Sequence, residues 1–268
     1  MKKKFRLGVI GAGFMSTAII KGLISSNTLS AEEICVSDNN QQAIDKIASF
    51  GVRGVIDNTF VADNSDFVLF AVKPQNFDEV LSSISNSSAN KFISIMAGVK
   101  KQKIKVAFPN SMVARCMPNT PCSIGAGAIG LDISDYNEIE DKDFICGLFS
   151  VLGQVVLVSE DKLNAVTGVS GSSPAYFYTF IKGIIEGGQR NGLTEEQAKI
   201  LAVNTMIGTG KMILQNSDKS IDELIQAVCS KGGTTIEAVK VFNENDLTEI
   251  TCKAIDACVK RSFELENL

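Results

Sequence analysis

Short apolar runs alternate with helix-like stretches up to about residue 160. Phe5–Ile10 is an apolar run that ends in glycines, and Phe14–Ser25 has apolar side chains at helical spacing. Similar apolar runs recur further along, and residues 141–152 show another helical pattern; the runs are Ile34–Ser37, 66–72, 92–96, 111–117 and 154–158. Apolar strands that alternate with helices predict a parallel sheet whose two faces are both covered.

Helical periodicity dominates the rest of the chain. The predicted helices are residues 174–191, 194–215, 220–228, 234–243 and Leu247–Leu265. Gly192 predicts a helix stop, and Thr194 with Gln197 three residues later predicts a capped helix start. We therefore predict an α/β domain at residues 1–160 and an all-α domain at residues 161–268. Its many small and apolar side chains predict that the helical domain completes its core with a second copy, as a homodimer.

Composition excludes several classes of protein. The chain is 45% hydrophobic with a net charge of −4, and without a basic stripe we expect no nucleic-acid partner. No apolar run is long enough to cross a bilayer, and the start lacks the features of a signal peptide. The seven cysteines form no C-x-x-C pair, so we expect buried free thiols, a cytoplasmic location and no metal site.

The chain contains no histidine. Chemistry that needs an imidazole base is therefore excluded, including Ser-His-Asp hydrolysis and the usual histidine-assisted dehydrogenation of alcohols. If the chain is an enzyme, its reaction needs little acid–base help or uses Lys, Glu, Tyr or water.

A glycine-rich turn lies between the first predicted strand and the first predicted helix. Gly11-Ala12-Gly13-Phe14-Met15-Ser16 follows the pattern G-x-G-x-x-S. In this context the motif predicts a Rossmann-type dinucleotide-binding domain, with the pyrophosphate at the helix N-terminus. Asp38 ends the second strand, where a carboxylate favours the ribose 2′-hydroxyl of NAD. The alternative is that Asp38 caps the helix that follows.

Other strand ends carry candidate residues. Lys73 and Pro74 follow the third apolar run, where Lys73 either helps to hold the cofactor or is simply solvated. The stretch at residues 169–176 (VSGSSPAY) is either a serine-capped helix start or a place for substrate beside the cofactor. The stretch CSKGGTTIEAV, from Cys229, raises a similar choice between a helix cap and a binding site for a small anion.

Five motifs in this order and spacing resemble pyrroline-5-carboxylate reductase: GVIGAGFMS, FAVKP, RCMPNTP, AVTGVSGSSPAY and CSKGGTTIEAV. The resemblance covers essentially the whole chain. It implies a Rossmann-type domain, a helical dimerisation domain, and reduction of 1-pyrroline-5-carboxylate to L-proline with NADPH or NADH, the last step of proline biosynthesis. Larger rings of dimers are known in the family.

The resemblance also implies roles for individual residues. Thr235 would be the catalytic hydroxyl, near the ring nitrogen of the substrate. The other substrate-binding residues would be Glu160, Ser230, Gly232, Gly233 and Thr234. The cofactor would be bound by Ile10, Gly11, Ala12, Gly13, Phe14, Met15, Asp38, Asn58, Ala71, Val72, Lys73, Pro74, Ile95, Met96 and Ala97.

The sequence departs from the family pattern at two places, and two other functions fit parts of it. Lys231 stands where the family usually has proline, and the absence of arginine next to Asp38 weakens the family's usual preference for NADPH. β-Hydroxyacid dehydrogenases also join a Rossmann domain to a helical one. However, they resemble one another in a lysine that is followed four residues later by asparagine. Here Lys182 is followed at that spacing by Glu186. A non-catalytic sensor of nicotinamide nucleotides would not need the Gly-Gly-Thr-Thr stretch.

Overall fold

A single sheet of eight strands organises the first part of the chain. The computed structural model describes residues 3–266. Its strands are β1 (Phe5–Ile10), β2 (Ile34–Ser37), β3 (Arg53–Val55), β4 (Ser65–Phe70), β5 (Lys91–Ser94), β6 (Met112–Met117), β7 (Gly127–Asp132) and β8 (Gly153–Leu157). They lie in the order β3-β2-β1-β4-β5-β6-β7-β8, so the carboxyl ends of β2, β1, β4 and β5 follow one another along one edge.

All neighbouring strands are parallel except β6 and β7. The chain between them contains only a 3₁₀ turn, Thr120–Ile124, which ends at Gly125 with a φ of +70°. A parallel return needs a crossover of a dozen or more residues, so this short connection brings β7 back antiparallel. The three-residue strand β3 and the strand β7 were not predicted from the sequence.

Helices cover both faces of the sheet, as the apolar runs predict. The helices of this part are α1 (Phe14–Ser25), α2 (Gln41–Ala48), α3 (Asn58–Asn64), α4 (Phe77–Ser83), α5 (Lys101–Ala107) and α6 (Ile139–Ser150). One buried core packs Ile19 and Leu23 of α1 with Phe149 of α6. The core on the other face contains Phe77 of α4 and Ile104 of α5.

The second half of the described chain is helical. After α7 (Leu163–Val166) comes a π-helical segment, Thr167–Gly171, followed by α8 (Ser173–Arg190), α9 (Glu195–Gln215), α10 (Ile221–Val228), α11 (Thr234–Glu244) and α12 (Leu247–Leu265). The predicted capping box at the start of α9 is confirmed, because the Thr194 hydroxyl accepts from the Gln197 backbone and the Gln197 side chain accepts from the Thr194 backbone. The π-helical segment was not predicted.

The chain forms two compact units. The sheet unit contains the chain up to Pro174 and again from Ala257 onward. The helical unit is Ala175–Asp256. The predicted domain boundary near residue 160 remains a prediction. None of the described helices is both long enough and apolar enough to pass through a membrane.

Candidate dinucleotide cleft and substrate loop

The glycine-rich turn lies between β1 and α1, which is the context the motif requires. Gly11 has a φ of +107°, and a Cβ added there would lie 2.6 Å from the carbonyl oxygen of Ala71. Gly13 caps α1 with its backbone alone, and a Cβ added to it would have no atom within 4 Å. Gly11 therefore allows β1 and β4 to approach, whereas Gly13 leaves open space in front of a helix N-terminus, which favours an anion.

Asp38 holds the glycine-rich turn from the side. Its Oδ2 accepts a hydrogen bond of 2.7 Å from the backbone N–H of Ala12, and its Oδ1 accepts one of 2.8 Å from Asn40. The cap of α2 is the Asn40 side chain, which accepts from the Gln42 backbone. The alternative that Asp38 itself caps this helix is therefore wrong, because the N-cap is Asn40 and the helix begins at Gln41, three residues after Asp38.

Asn58 joins two elements that border the same cleft. Its Oδ1 accepts from the Ser37 hydroxyl at 2.7 Å, and its Nδ2 donates to the Ser83 hydroxyl at 3.1 Å. Ser37 ends β2 and Ser83 ends α4, so this amide fixes the side of the cleft next to Asp38. Sequence reasoning missed both serines, since neither belongs to a recognisable motif.

These residues surround a cleft of about 440 Å³ at the carboxyl ends of the strands. Of the fifteen residues proposed for the cofactor, the cleft brings together Ile10, Gly11, Gly13, Asp38, Asn58, Ala71, Val72 and Lys73. The others lie outside its lining, namely Ala12, Phe14, Met15, Pro74, Ile95, Met96 and Ala97. The last three follow β5, the next strand along the edge, where the Ile95 backbone donates to Phe70.

Glu160 lies elsewhere in the sheet unit, at the start of a 3₁₀ turn after β8. Its Oε1 accepts from the Lys101 backbone at 2.7 Å and from the Arg115 guanidinium at 3.0 Å. Glu160 is therefore a fixed, charge-compensated carboxylate. Its role toward a substrate remains a prediction.

The Gly-Gly-Thr-Thr stretch forms a turn that opens α11 in the helical unit. The Gly233 backbone donates to the Ser230 carbonyl at 3.0 Å, and Gly232 has a φ of +73°. A positive φ at the third position is the type II pattern, which needs glycine there. Gly233 caps α11 without a side-chain hydrogen bond, so the first backbone N–H groups remain open. Thr234 and Thr235 are both exposed in this first turn.

The cysteines form no disulfide in the described part of the chain. All seven are free thiols, as predicted, but the expectation that they are buried holds only for Cys35, Cys116 and Cys122 and is wrong for the other four: Cys146, Cys229 and Cys258 are partly exposed and Cys252 is exposed. Burial raises the pKa of Cys35 to about 11 and holds the pKa of Cys116 well above its usual range, so both stay protonated. Within residues 3–266 no group of three or more Cys, Asp or Glu side chains could hold a metal ion.

The fold and the cleft define a dinucleotide-binding protein of the Rossmann type joined to a helical unit. A crevice outside the carboxyl ends of parallel strands, with a glycine turn before a helix, is where such proteins bind their ligand. The open space beside Gly13, the uncapped start of α1 and the cleft volume all fit a pyrophosphate.

Comparison with known proteins identifies the family. Residues 160–265 match the model for pyrroline-5-carboxylate reductase dimerisation, and residues 6–98 match the model for NADP oxidoreductase coenzyme F420-dependent. A pyrroline-5-carboxylate reductase of Synechocystis sp. is 37% identical over 262 residues, which cover 97% of this chain and 98% of that protein. The chain belongs to the pyrroline-5-carboxylate reductase family.

Two solved structures share the whole fold. A pyrroline-5-carboxylate reductase from Coxiella burnetii has a TM-score of 0.89 and 33% identity, and the match covers 99% of each chain. Plasmodium falciparum pyrroline carboxylate reductase, solved with NADP bound, has a TM-score of 0.86 and 26% identity over 99% of this chain and all of that one. The predicted fold class is confirmed, with a helical part that matches the family's dimerisation domain.

Proposed function

We propose that this protein reduces 1-pyrroline-5-carboxylate to L-proline with NADPH or NADH. Membership of the family makes the chain an NAD(P)H-dependent oxidoreductase. The observation that carries the proposal is the cleft at Gly11, Gly13 and Asp38, in a chain that also carries the Gly-Gly-Thr-Thr turn. A sensor that only bound nucleotide would not need that turn. The proposed reaction is the last step of proline biosynthesis.

The strand order supports one direction for the proposed cofactor. The adenosine ribose would lie at Asp38 and Asn58, after β2, and the pyrophosphate would lie at the amides that follow Gly13, after β1. The nicotinamide half would then lie at the ends of β4 and β5, which follow β1 in that order in the sheet. Its proposed residues are Ala71, Val72, Lys73, Pro74, Ile95, Met96 and Ala97. Exposed Lys73 has no ion pair among the described residues and contributes positive charge to a cleft that would receive phosphates.

The proposed substrate loop is formed by Ser230, Gly232, Gly233, Thr234 and Thr235. The open N–H groups of α11 suit the substrate carboxylate, because the N-terminus of a helix favours anions. Lys231, exposed at the second position of the turn, adds a cation to the same place. Glu160 is proposed as a further substrate-site carboxylate.

The proposed chemistry is compatible with a chain that lacks histidine. A bound dinucleotide would supply the hydride that reduces a cyclic imine at carbon; an iminium would become a neutral amine, which then takes up one proton. No strong base is needed if the imine binds as an iminium, so positioning of the reactants supplies much of the rate. The Thr235 hydroxyl hydrogen-bonds the ring nitrogen and relays a proton from water.

We propose a homodimer through the helical unit. Apolar side chains are exposed on this unit, and a cleft of about 600 Å³ between α8 and α9 is lined by Phe177, Phe180, Ile184, Leu201, Met206 and Ile213. Exposed apolar patches of this kind mark association surfaces. A larger ring of dimers and a cytoplasmic location remain parts of the proposal, the location resting on the scattered free thiols.

The direct test measures NAD(P)H absorbance with purified protein and 1-pyrroline-5-carboxylate. Thr235→Ala should lower kcat at least about tenfold while cofactor binding is retained, and Thr235→Ser should restore most of the activity by returning the hydroxyl. Thr251→Ala, an exposed threonine of α12, is the matched control and should behave as wild type. Wild-type protein that oxidises no cofactor would refute the proposed function. Unchanged kcat and KM in Thr235→Ala would show that this hydroxyl does not have the proposed catalytic role.

A further inference from the structure

A buried ion cluster lies in the sheet unit, outside the cleft lining. The Arg115 guanidinium, 5% exposed, lies 3.0 Å from the Glu160 carboxylate and 3.9 Å from that of Glu266, whose side chain is 3% exposed. Glu266 also lies 3.0 Å from the Lys100 ammonium and accepts a hydrogen bond of 2.9 Å from the Asn164 side chain. Charges this deeply buried persist only when they are paired and hydrogen-bonded.

Asn164 connects this cluster to the end of α12. Its Oδ1 accepts a hydrogen bond of 2.6 Å from the Ser262 hydroxyl, and both residues are 3% exposed. The same amide therefore holds Ser262 through its oxygen and Glu266 through its nitrogen. The last turn of α12 is thereby fixed onto the sheet unit by polar contacts that use both the oxygen and the nitrogen of the Asn164 amide.

The turn after β5 is held at three points by this arrangement. Gly98 has a φ of +71°, and a Cβ added there would lie 2.9 Å from the Leu265 Cβ. Lys100 pairs with Glu266, and the Lys101 backbone donates to Glu160. The residues between β5 and these anchors include Met96 and Ala97, which the proposed cofactor placement uses.

We propose that Glu266 is a positioning residue for the nicotinamide half of the cofactor. The inference rests on the proposed placement of that half at the end of β5. Glu266 does not line the cleft; it acts through Lys100 and through Arg115, which it shares with Glu160. Its carboxylate keeps the turn after β5 in one place and keeps Leu265 beside Gly98.

The substitution Glu266→Gln separates charge from shape. The amide can still accept from Asn164, but it no longer offers a negative charge to Lys100 and Arg115. Arg115 retains Glu160 as a partner, so no buried cation is left unpaired. The turn after β5 then loses its charged anchor, while Asp38 and Asn58, at the other end of the cleft, keep all their contacts.

The experiment compares two probes on the full chain. NADPH and NADH contain the nicotinamide half, and ADP contains only the adenosine and pyrophosphate half. In Glu266→Gln we expect the Kd for NADPH and NADH to rise about fivefold, which is about 1 kcal/mol, with the Kd for ADP unchanged in calorimetric titration. Glu264→Gln is the matched control, because Glu264 is exposed in the last turn of α12, two residues before Glu266, and among the described residues its ion pair is with Arg261. It should bind all three as wild type does.

Equal weakening of NADPH and ADP would overturn the inference, since it would show a general loss of structure. An unchanged Kd for NADPH would overturn it as well. Ser262→Ala removes only the hydroxyl on Asn164 and should give a smaller shift of the same selective kind, so it decides the question if Glu266→Gln does not fold. Wild-type protein that binds neither dinucleotide would instead refute the proposed function.

Discussion

Two glycines in one turn should respond in opposite ways to the same added methyl group. Gly11→Ala and Gly13→Ala change positions two residues apart, between β1 and α1. The backbone of Gly11 is at a φ of +107° and faces Ala71, whereas Gly13 has a φ of −74° and a ψ of −170° and faces open space. The pair therefore distinguishes a substitution that lowers the stability of the fold from one that weakens binding of the cofactor.

Gly11→Ala should destabilise the protein strongly. A non-glycine residue at a strained φ costs about 1–3 kcal/mol. The new Cβ would lie 2.6 Å from the Ala71 carbonyl oxygen, and overpacking against backbone adds about 1–3 kcal/mol. We expect the free energy of unfolding to fall by about 2–6 kcal/mol in equilibrium urea unfolding.

Gly13→Ala should leave the fold intact and weaken binding of the cofactor. Its backbone angles suit alanine, so the free energy of unfolding should rise by about 0.4–1 kcal/mol through the unfolded chain. The methyl group would project into the cleft where backbone N–H groups meet the pyrophosphate. Titration with NADPH and NADH should show a Kd raised at least about tenfold.

The paired design makes refutation direct. If Gly13→Ala binds NADPH as tightly as the wild type does, the pyrophosphate does not lie against this turn. If Gly11→Ala unfolds at the wild-type urea concentration, the close approach of β1 to β4 does not limit this position. Loss of stability in Gly13→Ala would contradict the open space found beside it.

Three further substitutions test other parts of the site and the fold. Asp38→Asn removes a charge that repels a 2′-phosphate, so the ratio of kcat/KM with NADPH to that with NADH should rise at least about fivefold; an unchanged ratio would show that Asp38 does not select the cofactor. Lys231→Pro places proline at the second position of a turn that suits it and should add about 0.4–1 kcal/mol of stability. The substitution also removes a cation, so a KM for the pyrroline raised by up to about fivefold would show that the lysine helps to bind the pyrroline. Tyr136→Phe removes a buried hydroxyl that lies 3.0 Å from the Phe92 carbonyl and 3.2 Å from that of Met112. Thermal or urea unfolding should show that the free energy of unfolding falls by about 1–2 kcal/mol, with kcat unchanged. An altered kcat would show that this contact, which lies away from the site, affects catalysis.

Sequence patterns located most elements to within one or two residues, because long apolar runs and capping residues act locally. The start of α9 at Thr194 is an example, since its cap and its partner lie within four residues of each other. The strands β3 and β7 escaped prediction for a physical reason. β3 has only three residues and no buried side chain, and β7 is rich in glycine, so neither shows a pattern that distinguishes a strand from a loop.

The sequence by itself determined the glycine turn after β1, the alternation of strands and helices before a helical second part, the absence of imidazole chemistry and the family. Each of these depends on residue type or on short spacing. Only the tertiary structure decided that Asp38 binds the Ala12 backbone, that β7 runs antiparallel, and that Arg115 lies between Glu160 and Glu266. Those contacts join residues far apart in the chain, and the packing of the sheet and its returning C-terminal helix brings them together, which no local pattern encodes.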